Sequence, residues 1–132
     1  MKNATWKYVK PLEDAHLIET FEKSHGISFP ADLKEILRKY NGGRPPQKLY
    51  DTAMEKNKEF KTLLSFNRGD VENIYKYYPL ESSDRLLVPF ASDPAGNFFV
   101  LKDGKIFFWN HEADRAIFLA DTFTDFLTSL HE

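Results

Sequence analysis

The densest cluster of reactive side chains in this chain is His111-Glu112 with Asp114. An imidazole beside two carboxylates is raw material for acid–base catalysis or metal ligation. The spacing argues against both. His-x-x-Asp falls short of any diagnostic ligand pattern and follows a strand-like run, where a polar turn that satisfies its own backbone is expected. Asp93 and Asn97 around Gly96 could grip a cation, but no third carboxylate lies nearby in the sequence, and a tight turn is the expected role. Asn41-Gly42-Gly43-Arg44-Pro45-Pro46 suggests a phosphate loop at first sight. It lacks the Gly-Lys-Ser/Thr ending and follows a helix instead of preceding one, so helix termination accounts for it better. His16, His25 and His131 are scattered, and no Gly-x-Ser-x-Gly elbow occurs. The chain has no cysteine, which excludes disulfides, zinc ribbons, thiol catalysis and iron–sulfur clusters. The reading is therefore of a non-enzyme with no catalytic residues, no cofactor and no metal. A small hydrolase using His111, Glu112 and Asp114 is the catalytic alternative.

With 132 residues, 42% hydrophobic and 29% charged, the chain has the material for one domain spanning 1–132. Its longest uninterrupted apolar run, Ala116 to Ala120, is too short to cross a membrane. Lys7, Lys10, Glu13 and Asp14 interrupt any signal-peptide core, so a cytoplasmic location is expected. The net charge of −2 argues against a general nucleic-acid binder, but charge is unevenly spread. Residues 34–68 carry nine Lys or Arg against four Asp or Glu, whereas residues 81–132 carry four against nine. Two such halves can steer a charged partner if each forms a face. Lys56, Lys58, Lys61 and Arg68 interleave with Phe60 and Phe66 as on a single-strand nucleic-acid surface. The rings are expected in the core instead, with the lysines toward solvent, so no direct nucleic-acid contact is expected.

The elements that position these residues follow from periodicity. Leu17, Ile18 and Phe21 predict a helix over 12–24, stopped by Gly26. Pro30 suits the first turn of a second helix with the stripe Leu33, Ile36, Leu37 and Tyr40, ended by Asn41-Gly42-Gly43. Phe60 to Phe66 reads as a strand with Leu49 to Ala53 as its partner. Asp70 is expected to cap a short helix with the face Val71, Ile74, Tyr75 and Tyr78. Residues 81–85 are a polar loop, and Leu86 to Ala91 is a strand ended by the turn Asp93-Pro94-Ala95-Gly96. Asn97 to Lys102 and Lys105 to His111 flank Asp103-Gly104, a strong hairpin signal. That register sets Phe98 opposite Trp109 and Val100 opposite Phe107 on one face, Phe99 opposite Phe108 and Leu101 opposite Ile106 on the other. Both faces are apolar, so both need cover, by helices on one side and by a further element or a partner on the other. Ala116 to Ala120 is the last strand. Thr122 and Asp125 form a capping-box pair for a closing helix with the stripe Phe123, Phe126, Leu127 and Leu130. Trp6 and Tyr8 are expected to hook the first helix to the body. The order gives an α+β fold: two N-terminal helices, a mostly antiparallel β-meander with one inserted short helix, and a C-terminal helix.

The run from Ile27 through Pro30 and Leu37 to Tyr40-Asn41-Gly42-Gly43-Arg44-Pro45 resembles the signature of the SUKH superfamily. Further blocks fit in order: Leu87-Val88-Pro89-Phe90-Ala91, Gly96-Asn97, Trp109-Asn110-His111-Glu112, and Leu119-Ala120-Asp121-Thr122-Phe123 through Phe126-Leu127. Phe29 stands where Leu is commoner, and the match is weakest between 47 and 85. The resemblance implies an α+β domain without catalytic residues or cofactor, and in bacterial members an immunity role against a cognate toxin, often a nuclease. Pro30, Tyr40, Asn41, Gly42, Gly43 and Gly96 are then structural motif residues. The expected function is a protein-binding module whose acidic 81–132 half meets a basic toxin surface. Its expected contact residues are Trp109 as an aromatic anchor, with His111, Glu112, Asp114, Asp93 and Asn97 around it. The alternative is a regulatory or scaffold module binding a cellular protein. No membrane partner is expected.

Overall fold

The protein was analysed as a computed structural model that describes residues 5–83 and 85–132; Asp84, in the expected polar loop, lies outside the described residues. In chain order the elements are α1 (Leu17–His25), α2 (Ala31–Lys39), β1 (Leu49–Tyr50), β2 (Lys58–Glu59), β3 (Thr62–Leu63), α3 (Ile74–Tyr77), β4 (Leu80–Glu81), β5 (Leu86–Ser92), β6 (Phe98–Lys102), β7 (Lys105–Asn110), β8 (Arg115–Ala120) and α4 (Phe123–Ser129). This is the expected α+β order. β5 to β8 form an antiparallel meander, and β3 and β4 both pair with β5 along its other edge. β1 and β2 form a separate two-stranded ribbon.

The hairpin register is the one expected: Phe98 opposite Trp109, Phe99 opposite Phe108, Val100 opposite Phe107 and Leu101 opposite Ile106. Asp103 and Gly104 both take positive φ, 54° and 75°, the backbone of a two-residue primed turn whose twist matches that of the strands. One face of the sheet is filled by Phe99 and Phe108, whose ring centroids are 5.6 Å apart, with Phe126 of α4 and Tyr50 and Phe60 from the ribbon region. On the opposite face, Tyr77 of α3 covers Phe98 at 4.7 Å. Phe107 packs on Phe118 at 5.6 Å, and Phe118 stays half exposed.

Four expectations about local structure need correction. α1 starts at Leu17, not at 12, because the chain before it is held as an extended strap: Lys10 N–H donates to Asn41 O at 2.7 Å and Glu13 N–H to Asn67 Oδ1 at 2.9 Å. The stretch 60–66 is not one strand. Phe60, Leu63, Leu64 and Phe66 are all buried, but they do not share one ladder: Phe60 N–H donates to Lys48 O at 2.8 Å, whereas Leu64 N–H donates to Phe90 O at 2.9 Å. The chain bends instead, so β2 pairs with β1 and β3 pairs with Ala91 and Ser92 of β5. The cap of α3 is Asn73, whose Oδ1 accepts from Lys76 N–H at 3.1 Å. The Asp70 carboxylate turns inward to Ser65 Oγ at 2.6 Å and Asn67 Nδ2 at 3.1 Å, leaving Val71 exposed instead of on the helix face. Trp6 stacks on Tyr40 at 4.9 Å and Lys7 bridges to Arg44, so the N-terminal hook grips the end of α2 rather than α1.

The closing helix is capped as expected on one side, Thr122 Oγ1 accepting from Asp125 N–H at 3.0 Å. A second capping acceptor comes from another element: Asp32 of α2 accepts from Thr124 N–H and Thr124 Oγ1, both at 2.8 Å. One carboxylate thereby ties the N-terminal ends of α2 and α4 together.

Candidate functional site

Alternate connections of a meander return to the same end of the sheet. The β5–β6 turn (93–97) and the β7–β8 turn (111–114) therefore share one end, and all the expected polar contact residues stand on these two turns. Asp93 Oδ1 accepts from Ala95 N–H at 3.0 Å and Asn97 N–H at 2.7 Å, while Gly96 takes φ 86° to close the turn. A short acceptor followed by a residue that tolerates positive φ is what this turn requires.

Asn97 joins the two turns. Its Oδ1 accepts from His111 N–H at 3.2 Å and lies 2.7 Å from His111 Nδ1. Because a backbone N–H fixes that atom as the carbonyl oxygen, Nδ1 carries the ring proton and Nε2 is left as the free ring nitrogen. Asn110 Oδ1 in turn accepts from Glu112 N–H at 3.0 Å and Ala113 N–H at 3.2 Å. Asp114 has φ 49°, and its Oδ1 accepts from Ser83 N–H at 3.2 Å, tying the β4–β5 loop to the cluster. The His111 ring is thus oriented by an amide. A catalytic imidazole is instead usually stabilised as a cation by a carboxylate at this position. Among the described residues, no group of three or more His, Asp or Glu is placed to hold a metal.

The charges of residues 81–132 do not form one uniform face. At the far end of the sheet Asp103 is paired with Arg85 at 2.7 Å and Asp121 with Lys105 at 3.0 Å, which cancels much of the local charge. At the near end, Asp93, Glu112 and Asp114 have no ion-pair partner among the described residues. Three of the carboxylates of this half that are unpaired among the described residues, which also include Glu81 and Asp125, therefore stand on the two turns that Asn97 and His111 clamp together, with the likewise unpaired Arg115 next to Asp114.

Trp109 is only 4% exposed, so its indole is not the protruding anchor expected from the sequence. The cross-strand register turns it toward the same face as Val100, Phe98 and Phe107. It lines a depression of about 350 Å³ together with Lys102, Asp114, Arg115 and the loop serines Ser82 and Ser83. The recessed indole is surrounded by two cations, Lys102 and Arg115, and a single carboxylate, Asp114, rather than by the expected acidic rim.

The structural motif residues are brought together elsewhere. Pro30 sits just before α2 with φ −54° and ψ 146°, in the cap position rather than the first turn. Tyr40 carries the stack with Trp6. Gly42 uses φ 67°, whereas Gly43 is needed for space: a Cβ there would lie 2.8 Å from Tyr40 O and 3.0 Å from Val9 Cγ2. Asn41 does more than end a helix. Fully buried, it donates from Nδ2 to Lys10 O at 2.8 Å and Ser65 Oγ at 2.9 Å, and accepts at Oδ1 from Phe66 N–H at 2.8 Å. No periodicity signals this hub, because its partners are 24 to 31 residues away in the chain.

Comparison with known proteins agrees with this arrangement. The SPbeta prophage-derived uncharacterized protein YokK of Bacillus subtilis (strain 168) is 29% identical over an alignment covering 86% of this chain and 72% of the relative. No solved structure matches. The family model described as SMI1 / KNR4 (SUKH-1) matches residues 14–129, from the strap through α4, and this chain therefore belongs to that family.

Proposed function

We propose that this protein is a non-catalytic binding module of the immunity type, which neutralises a nuclease-class toxin by covering its substrate-binding surface. The family includes toxin immunity proteins, and the carrying observation is the net acidic end of the sheet, where Asp93, Glu112 and Asp114 outnumber Arg115. A nuclease must present basic side chains to hold phosphates, so a surface bearing Asp93, Glu112 and Asp114 competes for those cations and speeds encounter. The clamp between Asn97 and His111 holds the two turns in fixed relation, which lowers the ordering cost of binding. The depression lined by Trp109 lies beside Asp114 and offers a receptacle for one aromatic side chain of the partner, with Lys102 and Arg115 at its wall.

The test is co-expression with the toxin domain encoded next to this gene, followed by pull-down and growth rescue. A stoichiometric complex is expected. Replacing Glu112 and Asp114 together by Lys should slow association by about tenfold at low ionic strength and flatten its salt dependence. A toxin neutralised equally well by that variant would refute the acidic-surface reading, and failure of the native protein to bind or rescue would refute the immunity role itself.

A further inference from the structure

Tyr8 has φ 59°, a left-handed conformation that a bulky aromatic residue adopts only when its surroundings impose it. Those surroundings are visible. Lys7 N–H donates to Arg44 O at 2.9 Å, Arg44 N–H to Lys7 O at 2.8 Å, and Lys10 N–H to Asn41 O at 2.7 Å, so the strap is fixed on both sides of Tyr8. The result is a tyrosine residue 66% exposed, with the Arg44 guanidinium 5.0 Å from its ring centroid. Across a depression of about 210 Å³ stands Val71, 78% exposed. A cavity of about 150 Å³ accommodates benzene, so this one has room for a single apolar side chain.

The charge around the depression is positive on balance: Lys10 and Arg44, with Lys7 beside them, outweigh the carboxylate of Asp70, and Glu72 is already paired. Asp70 is held by Ser65 and Asn67, and Glu72 by Lys61 at 2.7 Å and Ser92 Oγ at 2.9 Å. Lys7, Lys10 and Arg44 have no ion-pair partner among the described residues. An exposed Tyr and Arg flanking an apolar recess have the composition of a binding hot spot.

We infer that this strap-and-cleft surface, formed by Tyr8, Lys10, Arg44 and Val71, docks an acidic segment of a partner protein, with one apolar side chain in the recess and carboxylates on Lys10 and Arg44. It shares no residue with the acidic turns and does not rest on the immunity reading. Backbone strain at Tyr8 is retained because it holds the ring outward.

Selection of a random phage-displayed peptide library on the immobilised protein tests this. Enriched peptides should be rich in Asp and Glu around an apolar residue, and in ¹⁵N-labelled protein they should shift the amides of residues 7–10, 42–44 and 70–72. Tyr8→Gly relieves the φ strain and is expected to raise the thermal midpoint while weakening the peptides about tenfold; Arg44→Gln should weaken them to a similar degree. A merely structural Tyr8 would lose stability on that change. The inference is overturned by enriched peptides without acidic bias, by no enrichment, by shifts located elsewhere, or by affinity that survives both substitutions.

Discussion

Replacing Asn41 by Ala is the sharpest test of what holds this fold together. The side chain makes two buried hydrogen bonds, to Ser65 Oγ and Phe66 N–H, and a part-buried one to Lys10 O, at 2.8 to 2.9 Å. Each is worth about 1 kcal/mol net, rising to roughly 1–3 kcal/mol where deletion strands a buried group, as it does Phe66 N–H. Ser65 loses least, because it still donates to Asp70 and accepts from Asn67 N–H. A loss of about 3–4 kcal/mol is expected, a large share of the ~5–15 kcal/mol that a domain has in total. With a urea m-value of about 1.5 kcal/mol/M the denaturation midpoint should fall by about 2 M at unchanged slope. Hydrogen exchange should quicken first in residues 7–13, which Asn41 and Asn67 moor to the body. A loss below about 1 kcal/mol would show that water replaces the amide and that the hub reading is wrong.

Tyr50 is buried among Phe99, Phe108 and Phe126, and its hydroxyl has no hydrogen-bond partner among the described residues. Burial raises its pKa, so it stays neutral, and Tyr50→Phe should leave the protein as stable or stabilise it by up to about 1 kcal/mol in denaturant titrations; marked destabilisation would reveal a hidden partner. Gly43→Ala should cost about 1–3 kcal/mol through the clash with Tyr40 O and Val9, measured in the same way. Burial raises the Asp32 pKa, but the hydrogen bonds from Thr124 and Leu33 outweigh it and hold the carboxyl below its usual 3.8. A depressed folded pKa stabilises above the unfolded value and is lost as pH falls through the folded one. Stability should therefore decline on acidification below about pH 4, and less steeply in Asp32→Asn. Glu72, likewise raised by burial and lowered more by Lys61 and Ser92, adds to the same acid-side loss. At His131 the Glu132 carbonyl and then Asp51 raise the pKa, so the small contribution of its contact with Asp51 should be present below pH 6.5 and lost as pH rises through the folded value, visible as a chemical-shift titration of the ring.

Local rules were enough to read the meander from the sequence. Alternation fixed the faces of β6 and β7, Asp103-Gly104 fixed their register, and Thr122 marked the start of α4, because each of these signals involves residues only a few positions apart. The α+β order and the family resemblance were legible for the same reason. Competition between distant partners decided the rest. Asp70 had the sequence of a helix cap but found Ser65 and Asn67, so Asn73 took the cap and Val71 was turned outward. Residues 12–16 fall within the expected first helix, but Glu13 is drawn to Asn67 and the helix starts only at Leu17. Trp109 had the composition of an exposed anchor, yet its strand register buried it. The sequence also counted nine acidic residues in the second half without showing that Arg85 and Lys105 cancel two of them while three on neighbouring turns stay unpaired among the described residues. Hydrogen bonds and ion pairs saturate, so the partner a side chain finally meets depends on which others the fold has already brought within reach.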